Sequence, residues 1–128
     1  MTETADTPEA ADTAIAHEDI GEDLRRIMIT GRLDTPGTNQ IAPSLHELAA
    51  APIRAVIVDL TGVPFAASIA IGQLIATAKE VKSRGGHMVL LVGGTSAVMM
   101  TIKMGLIDQI IPTFQYFHEA HAGALRGY

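Results

Sequence analysis

The sequence predicts an α/β domain: a mixed β-sheet of about five strands with parallel central strands, and about four helices packed mainly on one side. Three observations carry this expectation. Ala55-Val56-Ile57-Val58-Asp59-Leu60 and His87–Val92 are short apolar runs of the kind found in strands buried on both faces. Between them Ile71, Leu74, Ile75, Ala78 and Val81 recur at helical spacing. Ahead of both, Leu24, Ile27, Ile29 and Leu33 alternate with polar residues, as in a half-buried strand.

Taken in order, residues 1–13 carry Glu3, Asp6, Glu9 and Asp12 and no basic residue. After Met1 no large apolar side chain precedes Ile15, so this stretch reads as a flexible acidic tail. Deleting residues 1–12 is expected to change stability by about 0.5 kcal/mol or less, which a thermal melt measures. Residues 14–125 form one domain, and 126–128 a short tail. The stretch Ala14–His17 can pair with Leu24–Leu33 across a turn at Gly21. Asp34-Thr35-Pro36-Gly37-Thr38 is turn chemistry able to cap a helix, and Ile41, Leu45, Leu48 and Ala49 follow at helical spacing. Pro43 inside that pattern predicts a kink or a helix that starts near it.

After Thr61-Gly62-Val63-Pro64 a helix is expected from about Ile69 to Arg84, with Gln73, Glu80 and Arg84 outward and Gly85-Gly86 ending it. Gly93-Gly94-Thr95-Ser96 turns into another helix with Val98, Met99 and Ile102 inward and Gly105 as its cap. Of the three methionines there, two read as core and Met100 as exposed and open to a partner. Ile107, Ile110 and Ile111 read as a short strand stopped by Pro112. Tyr116–Leu125 reads as a last helix with Phe117, Ala120, Ala124 and Leu125 on one face.

Composition narrows the function. At 128 residues, 48% hydrophobic and 18% charged, the chain fits one packed domain. It has no cysteine, which removes disulfides, Cys-ligated zinc and thiol nucleophiles. A net charge of −5 without a basic run argues against nucleic acid and anionic lipid as main partners. The longest aliphatic stretch, Met88–Val92, is far short of the ~20 residues that span a bilayer, so no direct membrane insertion is expected. The Gly93–Ser96 turn lacks the lysine of a P-loop and the third glycine of a dinucleotide fingerprint, and reads as an ordinary capped turn. His118 and His121 lie three apart on one helix with only Glu119 beside them, a poor metal set. Neither Ser68 nor Ser96 sits in a Gly-x-Ser-x-Gly elbow, and no catalytic constellation can be assembled. No cofactor, metal or enzymatic activity is therefore expected.

The pattern Gly31-Arg32-Leu33-Asp34, Val58-Asp59-Leu60-Thr61-Gly62-Val63, a serine opening a helix, Lys82-Ser83-Arg84-Gly85-Gly86 before a strand, and Gly105-Leu106-Ile107 resembles the STAS domain family of the anti-sigma-factor-antagonist type. The resemblance runs from about residue 14 to 125 and implies the STAS (SpoIIAA-like) fold. It also implies a cytoplasmic partner-switching regulator. Such a protein binds a switch-type serine kinase that doubles as an anti-sigma factor, is released by phosphorylation, and is restored by a PP2C-like phosphatase. The expected oligomeric state is a monomer or weak homodimer.

Phe65-Ala66-Ala67-Ser68-Ile69-Ala70-Ile71-Gly72 stands where the family pattern reads Asp-Ser-Ser-Gly-Leu-Gly. Ser68 matches the first serine and becomes the expected phosphosite. Ala67 replaces the Asp, and Ile69 replaces the second serine. Ser68-Ile69-Ala70 is closer to the stressosome branch, whose phosphorylated residue falls at the position of Ser68. The missing Asp and second serine keep a second reading open: a non-phosphorylated scaffold subunit of a stressosome-like complex or of a membrane transporter. In physical terms Ser68 is placed to cap the helix, and a phosphate there would face the positive end of the helix dipole. Ile69 lies about 200° round the helix from Ile71, on the side of Gln73, Ala76 and Glu80, and points away from the core. The expected partner-binding residues are Asp34, Ser68, Ile69, Gln73 and Met100, with Asp34 placed there by family architecture.

Overall fold

The computed structural model describes residues 13–126. The acidic tail expected at 1–13 lies outside the described residues except for Thr13. That residue is buried and donates its hydroxyl to the Arg32 carbonyl at 2.8 Å.

Strands β1 (Ala14–Ile20) and β2 (Leu24–Thr30) form an antiparallel hairpin, running from Ala14 opposite Thr30 to Ile20 opposite Leu24. Gly21 turns between them at φ 69°, a conformation glycine adopts without steric cost. Asp19 accepts from the Arg25 guanidinium across the hairpin at 2.7 Å, and this hydrogen bond holds the carboxyl below its ordinary pKa. β3 (Ala55–Gly62), β4 (His87–Leu91) and β5 (Thr113–Phe114) continue the sheet in parallel, in the order β1-β2-β3-β4-β5. The crossovers carry α1 (Thr35–Leu48), α2 (Ser68–Ser83) and α3 (Ala97–Met104), and α4 (Phe117–Arg126) ends the fold.

Period-two alternation sorts the strand residues between two cores. Ile27, Ile29, Val56, Val58, Leu60, Met88 and Leu90 pack with Ile41 and Leu45 of α1, Leu74 and Val81 of α2, and Val98 and Ile102 of α3. Leu24, Ala55, Ile57, Val89 and Leu91 meet Ala120 and Ala124 of α4 on the other side. Three helices thus cover one face and one helix covers the other. Each parallel crossover also sets a helix N-terminus at the carboxyl end of the preceding strand. That edge is where α/β sheets expose their functional loops.

Several local expectations are corrected. Helix α1 does not start near Pro43 but runs continuously through it, because the helix is set nine residues earlier. There Asp34 accepts from the Gly37 amide at 2.9 Å and Pro36 occupies the first turn. Residues 107–111 are no strand. Leu106 takes a left-handed conformation (φ 57°), Ile107–Gln109 coils as a 3-10 turn, and the Ile107 carbonyl accepts from the amides of Ile110 and Ile111. Ile107 and Ile111, four apart, are buried as on a helix, and the strand comes only after Pro112. Arg84 does not face solvent but turns back to donate to the carbonyls of Ala49 and Ile53, closing the end of α1. Leu125 and Met104 are exposed. The small residues Ala120, Gly123 and Ala124 form the inner face of α4, and Met104 is 80% accessible beyond the last packed turn of α3.

Candidate functional site

The segment between β2 and α1 and the segment between β3 and α2 lie side by side at the carboxyl edge of the sheet. Leu33 bridges Ala66 in parallel register. Its amide donates to the Phe65 carbonyl at 2.9 Å, and its carbonyl accepts from the Ala67 amide at 2.9 Å. Gly31 adds a bond to the Gly62 carbonyl at 3.1 Å, so the two loops are clasped by backbone. The Leu33 side chain is buried beneath them. Above the clasp the Arg32 guanidinium stacks over the Phe65 ring at 4.6 Å and lies 3.7 Å from the Asp34 carboxylate.

Gly37 lets this loop approach the first turn of α1. A Cβ at that position would overlap the Arg32 carbonyl oxygen and the Thr13 hydroxyl, so only glycine fits without displacement.

Helix α2 leaves this clasp directly. Ala67 is its N-cap, extended at φ −78° and ψ 168°, and its carbonyl accepts from the amides of Ala70 and Ile71. Ser68 is therefore the first helical residue and not the cap expected from sequence. The strand-like pairing with Leu33 carries through Ala67, which takes the cap position and starts the helix one residue earlier. The helix opens without a side-chain cap. Ser68 is exposed and Ile69 is 37% accessible, on the side of the exposed Ala76 and Glu80, whereas Ala70 and Ile71 are buried. Gln73 is half-buried one turn on, its carbonyl accepting the Thr77 hydroxyl at 2.8 Å.

The expected residues thus divide. Asp34, Ser68 and Ile69 converge on the clasped loops, and Gln73 extends them along α2. Met100 stands apart on α3, 64% accessible, over a groove of about 320 Å³ that Ser96, Lys103 and Gln115 also line. Sequence reasoning passed over Arg32 and Phe65 as site residues. They are 33 positions apart, and only the parallel bridge at Leu33 and Ala66 brings them together.

The Gly93–Ser96 turn is closed by its own serine. The Ser96 hydroxyl donates to the Gly93 carbonyl at 2.8 Å and accepts from the Met99 amide at 3.1 Å. His118 and His121 face different rings, Tyr116 and Phe117. Among the described residues no group of three or more His, Asp or Glu side chains is arranged to hold a metal ion. No described helix is long and apolar enough to cross a membrane.

Solved structures with this fold include an anti-sigma factor antagonist from Mycobacterium paratuberculosis, 18% identical, covering 88% of this chain and 94% of the other at a TM-score of 0.79. An anti-sigma-factor antagonist (STAS) domain protein from Planctomyces limnophilus is 25% identical, covering 85% and 93% at a TM-score of 0.60. The phosphorylated form of the Bacillus cell fate determinant SpoIIAA is 18% identical, covering 84% and 96% at a TM-score of 0.63. No sequence among curated proteins matches the chain. The STAS domain family model matches residues 17–120, nearly the whole described fold, and the chain belongs to the STAS domain family.

Proposed function

We propose that this protein is an anti-sigma factor antagonist: a cytoplasmic, non-catalytic partner-switching module that binds a switch-type serine kinase/anti-sigma factor. Ser68 is its phosphosite, and a PP2C-like phosphatase reverses the modification. The observation that carries the reading is the exposed Ser68–Ile69 pair opening α2 directly from a backbone-clasped pair of loops. A rigid platform of this kind presents a serine to a kinase and an apolar side chain to a partner at once. A phosphate on Ser68 would add about −1.5 to −2 charges at the amide end of α2. It would be stable there and would repel a desolvated partner surface.

The competing hydroxyls are less available. Thr61 donates to Asp59 at 2.6 Å, and Ser96 is used twice within its own turn. Incubation with the cognate kinase is expected to label the wild-type protein and not Ser68→Ala. Wild-type labelling of Ser68→Ala would move the site to Thr61 or Ser96.

Ile69 is the proposed apolar anchor for the partner. Its burial on binding is worth roughly 1.5–3 kcal/mol, about a ten- to hundredfold change in affinity. Ile69→Ser is expected to weaken partner binding by that factor with an unchanged melting temperature. A clear fall in melting temperature with binding preserved would make Ile69 a core residue instead.

A second reading rests on Ala67 and Ile69, which stand where the antagonist pattern has Asp and Ser. In that reading the same surface is a permanent contact of a stressosome-like or transporter-associated scaffold. Kinase labelling separates the two, since a scaffold of this kind is not modified.

A further inference from the structure

We infer that α3 and the turn after it form a second docking surface, separate from the Ser68 loops, that receives an acidic amphipathic helix of a partner protein. Met100 and Met104 lie one turn apart on α3 and are 64% and 80% accessible. Leu106 and Ile110 on the following turn are exposed as well. Four large apolar side chains in eleven residues are thus left to solvent, while Val98, Met99, Ile102 and Ile107 are buried. Methionine stems adapt to different helical partners, and an apolar ridge with grooves on either side is what a helix-in-groove contact uses.

The charge around this surface says which helix fits. The chain contains three lysines, Lys79, Lys82 and Lys103, and all three are here. Lys79 and Lys82 line a cleft of about 300 Å³ with Ala78, Gln109 and Ile110. Lys103 lies between the two exposed methionines in sequence and lines the groove under Met100. Asp108 pairs with Lys103 at 3.1 Å, and Glu80 turns to His46 of α1 at 3.4 Å. In a protein of net charge −5 every lysine of the chain is thus gathered around these apolar side chains.

Acidic residues flanking an apolar stripe complement it. A second copy of the chain would set lysines against lysines. Anionic bilayers are recognised by clusters of about four to eight basic residues, more than this surface offers.

The test is a titration of isotope-labelled protein, followed by backbone amide shifts, with three probes. One is a designed helical peptide with leucines on one face and glutamates on the other, the second is its lysine counterpart, and the third is phosphatidylserine vesicles. The acidic peptide is expected to bind saturably, shifting residues 99–110 and 78–82 and leaving 65–69 unmoved. Met104→Glu and Lys79→Glu, both at exposed positions, are expected to weaken it about tenfold or more with unchanged melting temperature. Absence of saturable binding, equal binding of the lysine peptide, shifts centred on 65–69, vesicle binding in place of peptide binding, or full affinity in both variants would overturn the inference.

Discussion

Asp59→Ala is expected to destabilise the protein by about 3 kcal/mol, a large share of the roughly 5–15 kcal/mol that holds a domain folded. Asp59 is 4% accessible, on the face of β3 that looks toward α4. One carboxylate oxygen accepts from Arg26 of β2 through Nε at 3.1 Å and Nη2 at 2.7 Å. The other accepts from the amide and hydroxyl of Thr61 at 2.9 and 2.6 Å. The Arg26 guanidinium also lies over the Phe117 ring at 4.7 Å, so the cluster joins β2, β3 and the start of α4.

Removing the carboxylate strands a half-buried guanidinium and two donors, which costs far more than the net worth of the pair. Glu18 lies 3.7 Å from Arg26 and is too exposed to replace it fully. Urea denaturation measures the loss. Arg26→Met in the Asp59→Ala background is expected to return part of it, because the uncompensated charge is gone. A loss below about 1 kcal/mol would mean that solvent reaches the cluster readily.

Leu33→Ala is expected to cost about 2–5 kcal/mol and to weaken partner binding in the same molecule. The side chain is 1% accessible beneath the clasped loops, and its removal leaves a cavity under the bonds from Leu33 to Phe65 and Ala67. Those bonds set the positions of Arg32, Asp34, Phe65 and the start of α2. The binding loss should therefore persist at a temperature where the variant remains folded, which calorimetric titration with the partner checks. Full affinity in a folded Leu33→Ala variant would show that the loops hold their geometry without the underlying packing.

Much of the fold was legible because its signals are local. Val56, Val58 and Leu60, with Ile57 on the other face, announce a strand covered on both sides, and the stripe from Ile71 to Val81 announces α2. Asp34 as a cap was also legible, since capping needs only the next three residues. Most of what failed depended on distant neighbours. Ser68 lost the cap position to Ala67, which pairs with Leu33 of another loop and whose carbonyl receives the first helical amides. Ile107 and Ile111 look like strand residues until the left-handed turn at Leu106 coils the chain. Met104 and Leu125 carry apolar side chains whose exposure depends on what the sheet leaves uncovered. The Arg32–Phe65 stack follows from strand register, which no local window contains.

The most direct test of the account mixes the purified protein with the anti-sigma factor and its bound sigma factor, and measures sigma release before and after phosphorylation. The unmodified protein is expected to displace the sigma factor in proportion to its concentration. Phosphorylation at Ser68, or Ser68→Asp, is expected to abolish displacement, and phosphatase treatment of the phosphorylated form to restore it. Displacement that is unchanged when Ser68 is fully phosphorylated, or no displacement by the unmodified protein, would contradict the account.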